Sequence, residues 1–131
     1  MIVQPEKRQV INELFRIRQL GPAGEEAIAG LFDANAIFIE PFLGVSRTHE
    51  GLDRIRDAFR EILRAEEGAA LTVDQVNADP FRLRAAWTCV SPEFPTPMRG
   101  VDWFLIRNGK IAELEITVTE MPEFDDAQPT V

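Results

Sequence analysis

The hydrophobic periodicity of this 131-residue chain changes near Gly68, and this change constrains the fold more than any other feature. Before Gly68, most apolar residues recur every three or four positions, which is the spacing of one helix face. After Gly68, apolar and polar residues alternate over several segments, which is the pattern of half-buried strands. The order predicts an α+β domain in which an antiparallel sheet, curved around a long helix, can leave a cavity open at one end.

The first half of the chain contains three predicted helices and one strand. A helix starts at Pro5, since proline is tolerated in a first turn, and it ends near Gly21. A short second helix and a strand over 36–40 follow. Thr48 is expected to cap the clearest helix, whose apolar stripe runs over 52–63.

The second half predicts four strands, over 71–73, 81–89, 98–106 and 111–119. Asn108 and Gly109 form a dipeptide typical of a two-residue hairpin turn between the last two strands. Residues 91–97 carry three prolines and are therefore predicted to form a loop. We expect one domain over 1–121 and an acidic, mobile tail over 122–131.

The charge and the single cysteine exclude several classes of protein. A net charge of -8 argues against binding to nucleic acid, which requires a basic surface, and against binding to anionic membranes. Cys89 is the only cysteine, so no intrachain disulfide can form, which suits a reducing compartment. The N-terminus lacks the apolar region of a signal peptide, and no run reaches membrane-spanning length. We expect a cytoplasmic protein.

Two carboxylates stand in apolar surroundings. Glu40 ends the run Ala36–Glu40 and precedes Pro41, and Asp102 lies inside the apolar run 100–106. An ionised carboxylate in such a strand is costly unless it is paired or its pKa rises. Two such groups that face one dry pocket would form an acid/base pair for small-molecule chemistry. The single histidine, His49, lacks the neighbours of a metal site, so no metal is predicted.

Four segments of the chain resemble the nuclear-transport-factor-like superfamily, which includes the SnoaL-like polyketide cyclases and the ketosteroid isomerases. These segments are Leu31–Ala36, the Glu40–Pro41 step, Thr48–Leu52, and Gly100–Phe104 running into Asn108–Ile111. The resemblance spans roughly residues 10–119, and it implies a cone-like, curved antiparallel sheet that wraps around helices and encloses an apolar pocket. It is specific for the superfamily and weakly specific for any one activity, because this fold hosts many functions.

The resemblance to ketosteroid isomerases implies roles for both carboxylates. Their base is an Asp before Pro at the end of the first strand, and Glu40 occupies that position here. Their protonated Asp, which holds the developing enolate oxygen, corresponds to Asp102. Their tyrosine on the first helix has no counterpart, since the chain contains no tyrosine, and Phe15 or Arg16 takes its place.

The resemblance also implies a site without a cofactor and a homodimer formed through the outer face of the sheet. The ligand would be a small apolar molecule. Phe42 and Phe94, on loops beside prolines, are expected to line its site, since such sites are mostly apolar. The full set of predicted substrate-binding residues is Phe15, Arg16, Phe42, Phe59, Trp87, Phe94 and Phe104.

Three functions stay open at this point. The first is an isomerase or cyclase in which Glu40 abstracts a proton next to a carbonyl and Asp102 hydrogen-bonds the carbonyl oxygen. The second is a non-catalytic ligand-binding or dimerisation module of the same fold. The third is water addition to an epoxide, which requires an arginine between two acids in the pocket.

Overall fold

The computed structural model describes residues 2–123, which form three helices and six strands. The helices are α1 (Pro5–Arg18), α2 (Glu25–Ala29), which follows a 3₁₀ turn at Gly21–Gly24, and α3 (Leu52–Ala65). The strands are β1 (Phe32–Glu40), β2 (Arg47–Glu50), β3 (Ala70–Ala78), β4 (Leu83–Val90), β5 (Met98–Arg107) and β6 (Lys110–Glu120). The predicted α+β class with a curved sheet is confirmed.

The start of α3 differs from the prediction. Thr48 does not cap this helix, because Thr48 and His49 lie in β2, a strand that the sequence pattern did not reveal. Gly51 precedes the helix instead and adopts φ 86°, a conformation that L-residues with side chains rarely adopt. The predicted apolar stripe is confirmed: one face of α3 is buried, through Ile55, Ala58, Phe59, Ile62 and Leu63.

The six strands form one sheet in the order β2-β1-β6-β5-β4-β3. All neighbours are antiparallel except β1 and β6, which run parallel. The predicted antiparallel sheet thus includes one parallel pair, because β1 comes from the helical half of the chain and joins the meander beside its last strand. The predicted turn is confirmed, with positive φ at both Asn108 (52°) and Gly109 (74°).

The core fills the space between the concave face of the sheet and the helices. Phe38 of β1 stacks on Phe59 of α3 with ring centroids 4.5 Å apart, and both side chains are fully buried. Phe81 was expected to start a strand, but β4 begins at Leu83 and Phe81 is 87% exposed. The loop between β4 and β5 contains the three prolines, as predicted.

The predicted tail over 122–131 lies almost wholly outside the described residues, which end at Glu123. Within residues 2–123, no helix is both long and apolar enough to cross a membrane. The cytoplasmic location and the domain boundary at residue 121 stay predictions.

Candidate functional site

A cavity of about 500 Å³ lies at one end of the cone, in the size range of sites for small organic molecules. It is bounded by the loop after β1, the C-terminal part of α3, the loop between β4 and β5, and the end of β6. Its lining is mostly apolar and includes Phe42, Leu43, Ile62, Ala65, Cys89, Phe94, Met98, Val118 and Met121. Its charged lining residues are Arg47, Glu61, Glu66 and Glu93.

The two carboxylates singled out in the sequence lie on the same face of the sheet. Asp102 pairs with Ile116 of β6, and Ile39 pairs with Glu115, so Glu40 lies beside Ile116 on the other side. The two acids thus occupy one row, two strand spacings or roughly 10 Å apart. Both side chains are fully buried, so the groups that contact each one decide whether it is ionised.

Glu40 is surrounded by donors from β2 and from its own loop. Its Oε2 accepts hydrogen bonds from Nε of Arg47 at 2.8 Å and from Nε2 of His49 at 2.9 Å. Its Oε1 accepts one from the backbone N–H of Phe42 at 2.8 Å. Burial by itself raises the pKa of Glu40, but these bonds and the charge of Arg47 outweigh it, and the pKa lies below its ordinary value.

Asp102 has fewer partners. Its Oδ1 accepts a hydrogen bond from the indole N–H of Trp87 at 2.8 Å, and Nη1 of Arg18 is 3.5 Å from its Oδ2. Burial raises the pKa of Asp102 to about 7, against the lowering effects of Arg18 and Trp87. Asp102 is therefore partly protonated near neutral pH.

Gly100 gives Trp87 the room for this contact. A Cβ at residue 100 would lie 2.3 Å from Cζ2 of Trp87 and 2.3 Å from the carbonyl oxygen of Thr117. Both contacts are far shorter than van der Waals separation. The position of the indole, and with it the hydrogen bond to Asp102, thus depends on glycine at this position.

Arg18 connects Asp102 to the cavity. It is buried at the end of α1, and besides Asp102 it binds Glu66 through Nη2–Oε2 at 2.7 Å and Nε–Oε1 at 3.2 Å. Burial lowers the pKa of Arg18, but the charges of Glu66 and Asp102 outweigh this and keep the pKa above its ordinary value. Arg18 is thus an arginine between two acids, as water addition to an epoxide requires. Of Arg18, Asp102 and Glu66, however, only Glu66 lines the cavity.

Neither predicted catalytic carboxylate lines this cavity; each lies one layer behind its wall. Glu40 holds Arg47, which does line it. Asp102 contacts Arg18, which holds Glu66, and Glu66 also lines it. Arg47 therefore separates Glu40 from the cavity, and the Arg18–Glu66 ion pair separates Asp102 from it.

The predicted substrate-binding residues separate into two groups. Phe42 and Phe94 line the cavity. Phe15, Phe59, Trp87 and Phe104 are buried in the core, and Phe104 also borders a second, smaller cavity of about 190 Å³. Arg16 lies on the exposed face of α1, binds Glu13 through Nε at 3.0 Å, and lines neither cavity.

Three residues of the site were missed in the sequence, namely Arg18, Arg47 and Glu66. Arg18 continues the apolar spacing of Ile11 and Leu14 on α1, and Glu66 continues that of Ile62 on α3; a charge on an apolar helix stripe is the signal for a buried ion pair. Arg47 pairs with Glu40 across the β1–β2 hairpin, which was hidden by the wrong start of α3.

Two further side chains bear on the chemistry available at the site. Cys89 is one of the lining residues, and burial raises the pKa of its thiol, so it is a poor nucleophile. Within residues 2–123, no three His, Cys, Asp or Glu side chains are grouped as metal ligands. The absence of a metal and of a cofactor stays a prediction.

Comparison with known proteins identifies one domain family. The sequence profile of the SnoaL-like domain matches residues 18–114. No curated protein matches the chain significantly.

Solved structures of similar fold carry several descriptions. A candidate polyketide cyclase from Sinorhizobium meliloti is 16% identical, over 83% of this chain and 94% of that one, with a TM-score of 0.67. A candidate ketosteroid isomerase from Kribbella flavida is 16% identical, over 92% and 82%, with a TM-score of 0.66. An NTF2-like protein of unknown function from Mesorhizobium loti is 15% identical, over 88% and 92%, with a TM-score of 0.71. At these identities the likeness shows the fold alone.

Proposed function

The chain belongs to the SnoaL-like domain family, and from this premise we propose that it binds a small, mostly apolar organic molecule in the 500 Å³ cavity at the end of the cone. The observation that carries this proposal is the lining itself. Aromatic and aliphatic side chains from four separate segments converge there, with few polar groups among them. Burying an apolar molecule against such a wall is favourable in proportion to the area removed from water.

A cavity-filling variant tests this proposal. Ala65 lies on the exposed side of α3 and lines the cavity, so Ala65→Trp adds bulk there without entering the core. The probe is N-phenyl-1-naphthylamine, a neutral dye whose fluorescence rises in apolar sites. We expect wild type to bind it and Ala65→Trp to bind at least about ten-fold more weakly.

Arg64→Trp is the matched control, because Arg64 is exposed on the same helix and lies outside the lining. It should bind the dye as wild type does. Equal dye affinity in the two tryptophan variants, or no binding by wild type, would contradict a ligand site in this cavity.

A second candidate function is acid/base conversion of an apolar cyclic carbonyl compound, by isomerisation or cyclisation. It is favoured by the pKa of about 7 for Asp102, which lets this group donate a hydrogen bond or a proton at neutral pH. Glu40, in the same row, would be the base. Neither carboxylate lines the cavity, so this function requires Arg47 to move aside from Glu40. It also requires the Arg18–Glu66 pair to open before a substrate can reach Asp102.

The two candidate functions differ in what substitutions do. If the protein is a catalyst, Glu40→Gln should abolish turnover of cyclic ketones and leave dye binding intact. Asp102→Asn should also slow the reaction strongly, whereas for a binding module it should change affinity only modestly. Turnover that survives Glu40→Gln would eliminate Glu40 as the base.

A homodimer through the outer face of the sheet remains part of the proposal. Trp103 of β5 is on this face, only partly buried, with the Arg82 guanidinium 4.4 Å from its ring centroid. Aromatic and arginine side chains are enriched at interfaces. Light scattering should give twice the mass of the chain, and a monomer would refute this expectation.

A further inference from the structure

Two charged residues of the cavity wall are each fixed from behind by a buried residue of opposite charge. Arg47, with 29% of its side chain exposed, is held by the fully buried Glu40 at 2.7 Å. Glu66, 16% exposed, is held by Arg18, which is 1% exposed, also at 2.7 Å. One ion pair presents its cation to the cavity and the other presents its anion.

The remaining charges of the lining have no such support. Glu61 is 68% exposed, and its contact with Arg47, at 3.5 Å, is longer than the 2.7 Å contacts of the two fixed pairs. Glu93 is also exposed. Solvated, rotatable side chains must lose entropy to hold a ligand, whereas a side chain already fixed in place does not. Arg47 and Glu66 are therefore the polar groups of the lining that are best able to orient a bound molecule.

Both fixed groups retain hydrogen-bonding capacity. A guanidinium has five N–H donors, and the contacts of Arg47 to Glu40 use those of Nε and Nη2, which leaves Nη1. A carboxylate has about four lone-pair positions, and Arg18 occupies one on each oxygen of Glu66. Arg47 can thus donate into the cavity, and Glu66 can accept.

The C-terminal part of α3 relates the two groups. Arg47 contacts the Glu61 carboxylate at 3.5 Å, and Glu66 follows Glu61 by five residues in helical conformation, so the Cα atoms of Glu61 and Glu66 lie roughly 7.5 Å apart along the helix axis. Apolar side chains occupy the wall between them, including Ile62 and Ala65.

We propose that Arg47 and Glu66 are the two poles of the site, and that its ligand is a neutral, mostly apolar molecule with a hydrogen-bond acceptor at one end and a donor at the other. The acceptor, such as a carbonyl oxygen, binds Arg47, and the donor, such as a hydroxyl group, binds Glu66. Glu40 and Arg18 act through these residues as positioning residues. The inference rests on the proposed binding function and specifies its ligand class.

Four related probes test the ligand class with wild-type protein. These are 6-hydroxy-1-tetralone, 1-tetralone without the hydroxyl, 5,6,7,8-tetrahydro-2-naphthol without the carbonyl, and tetralin without both. Measured by displacement of N-phenyl-1-naphthylamine, each polar group should raise affinity about ten-fold, as expected for hydrogen bonds to charged groups. A hydroxy ketone that binds no tighter than tetralin overturns the inference. Binding of N-phenyl-1-naphthylamine by wild type then tests the proposed apolar site independently of this inference.

Two variants assign the poles. Glu66→Gln keeps an amide oxygen for Arg18 and should weaken only the two hydroxylated probes, about ten-fold. Arg47→Gln should weaken only the two carbonyl probes by a similar factor. Glu67→Gln, an exposed neighbour outside the lining, is the matched control and should change none of them. Equal loss of all four probes in either variant would indicate a structural effect and overturn the assignment.

Discussion

Glu40 and Asp102 lie in one row of the same sheet face, both fully buried, yet their pKa values shift in opposite directions. Glu40 has three donors within 3 Å, from Arg47, His49 and the backbone of Phe42. Asp102 has one close donor, Trp87, and an arginine at 3.5 Å. Burial disfavours the ionised form of both acids, so the number and distance of donors decide the direction of each shift.

Two acids in one row of a sheet face can therefore have different pKa values, because their polar neighbours differ. Glu40 lies beside the short strand β2, whose Arg47 and His49 reach over it. Asp102 lies in the middle of the sheet, where its strand neighbours Ala85 and Ile116 offer no polar side chain. It therefore depends on Trp87 from its own sheet and Arg18 from α1.

The two arginines beside these acids should differ most in their contribution to stability. Arg18→Met leaves two carboxylates, Asp102 and Glu66, without their buried cation and should lower the free energy of unfolding by about 3–5 kcal/mol. Arg47→Met should cost about 1–2 kcal/mol, because Glu40 keeps its bonds from His49 and Phe42. Urea denaturation measures both. Equal losses would show that the two clusters are energetically alike.

The two acids should affect the pH dependence of stability in opposite ways, because the pKa of Asp102 is raised and that of Glu40 is lowered. The folded pKa of Asp102, about 7, exceeds the unfolded value of 3.8, so the folded state holds a proton that the unfolded chain releases. Its contribution to stability is present at low pH and falls between these values. Relative to Asp102→Asn, wild type should lose about 2 kcal/mol between about pH 5 and pH 7.

The contribution of Glu40 to stability should have the opposite pH dependence, in the acid range. Its folded pKa lies below the ordinary value of 4.5, so its contribution to stability is present above that value and is lost as the pH falls through the folded pKa. Urea denaturation of wild type against Glu40→Gln should show this loss below about pH 4.5. The opposite pKa shifts would be contradicted if wild type differed in stability from Asp102→Asn, and from Glu40→Gln, by amounts that do not change with pH.

The smallest expected effect comes from His49. An ionised carboxylate only accepts hydrogen bonds, so Nε2 of His49 carries the proton in its 2.9 Å contact with Glu40. His49→Ala should lower the unfolding free energy by about 1 kcal/mol in thermal or urea denaturation. His49→Gln can keep a donor and is the control that should recover part of the loss. If His49→Ala lowered the unfolding free energy more than Arg47→Met does, His49 and not Arg47 would be the more stabilising donor to Glu40.

Much of the fold could be predicted because it depends on local patterns. The stripe on α3 and the Asn108–Gly109 turn follow from spacing and from backbone preference, and both were found. The start of α3 was misassigned because threonine is favoured both as a helix cap and in strands, and only the pairing of β2 with β1 decides between them. The parallel contact of β1 with β6 joins residues about eighty positions apart, which no local pattern specifies.

For the site, the amino-acid sequence alone places Glu40 and Asp102 in apolar strands, where each must find partners or change its pKa, since an unpaired buried charge is too costly. It also placed Phe42 and Phe94 on the loops that border the cavity. Which partners those acids have depends on the folded arrangement, because Arg18, Arg47 and Glu66 come from three separate parts of the chain. The direction of each pKa shift, and the charges that face the cavity, depend on distances of a few ångströms between those elements.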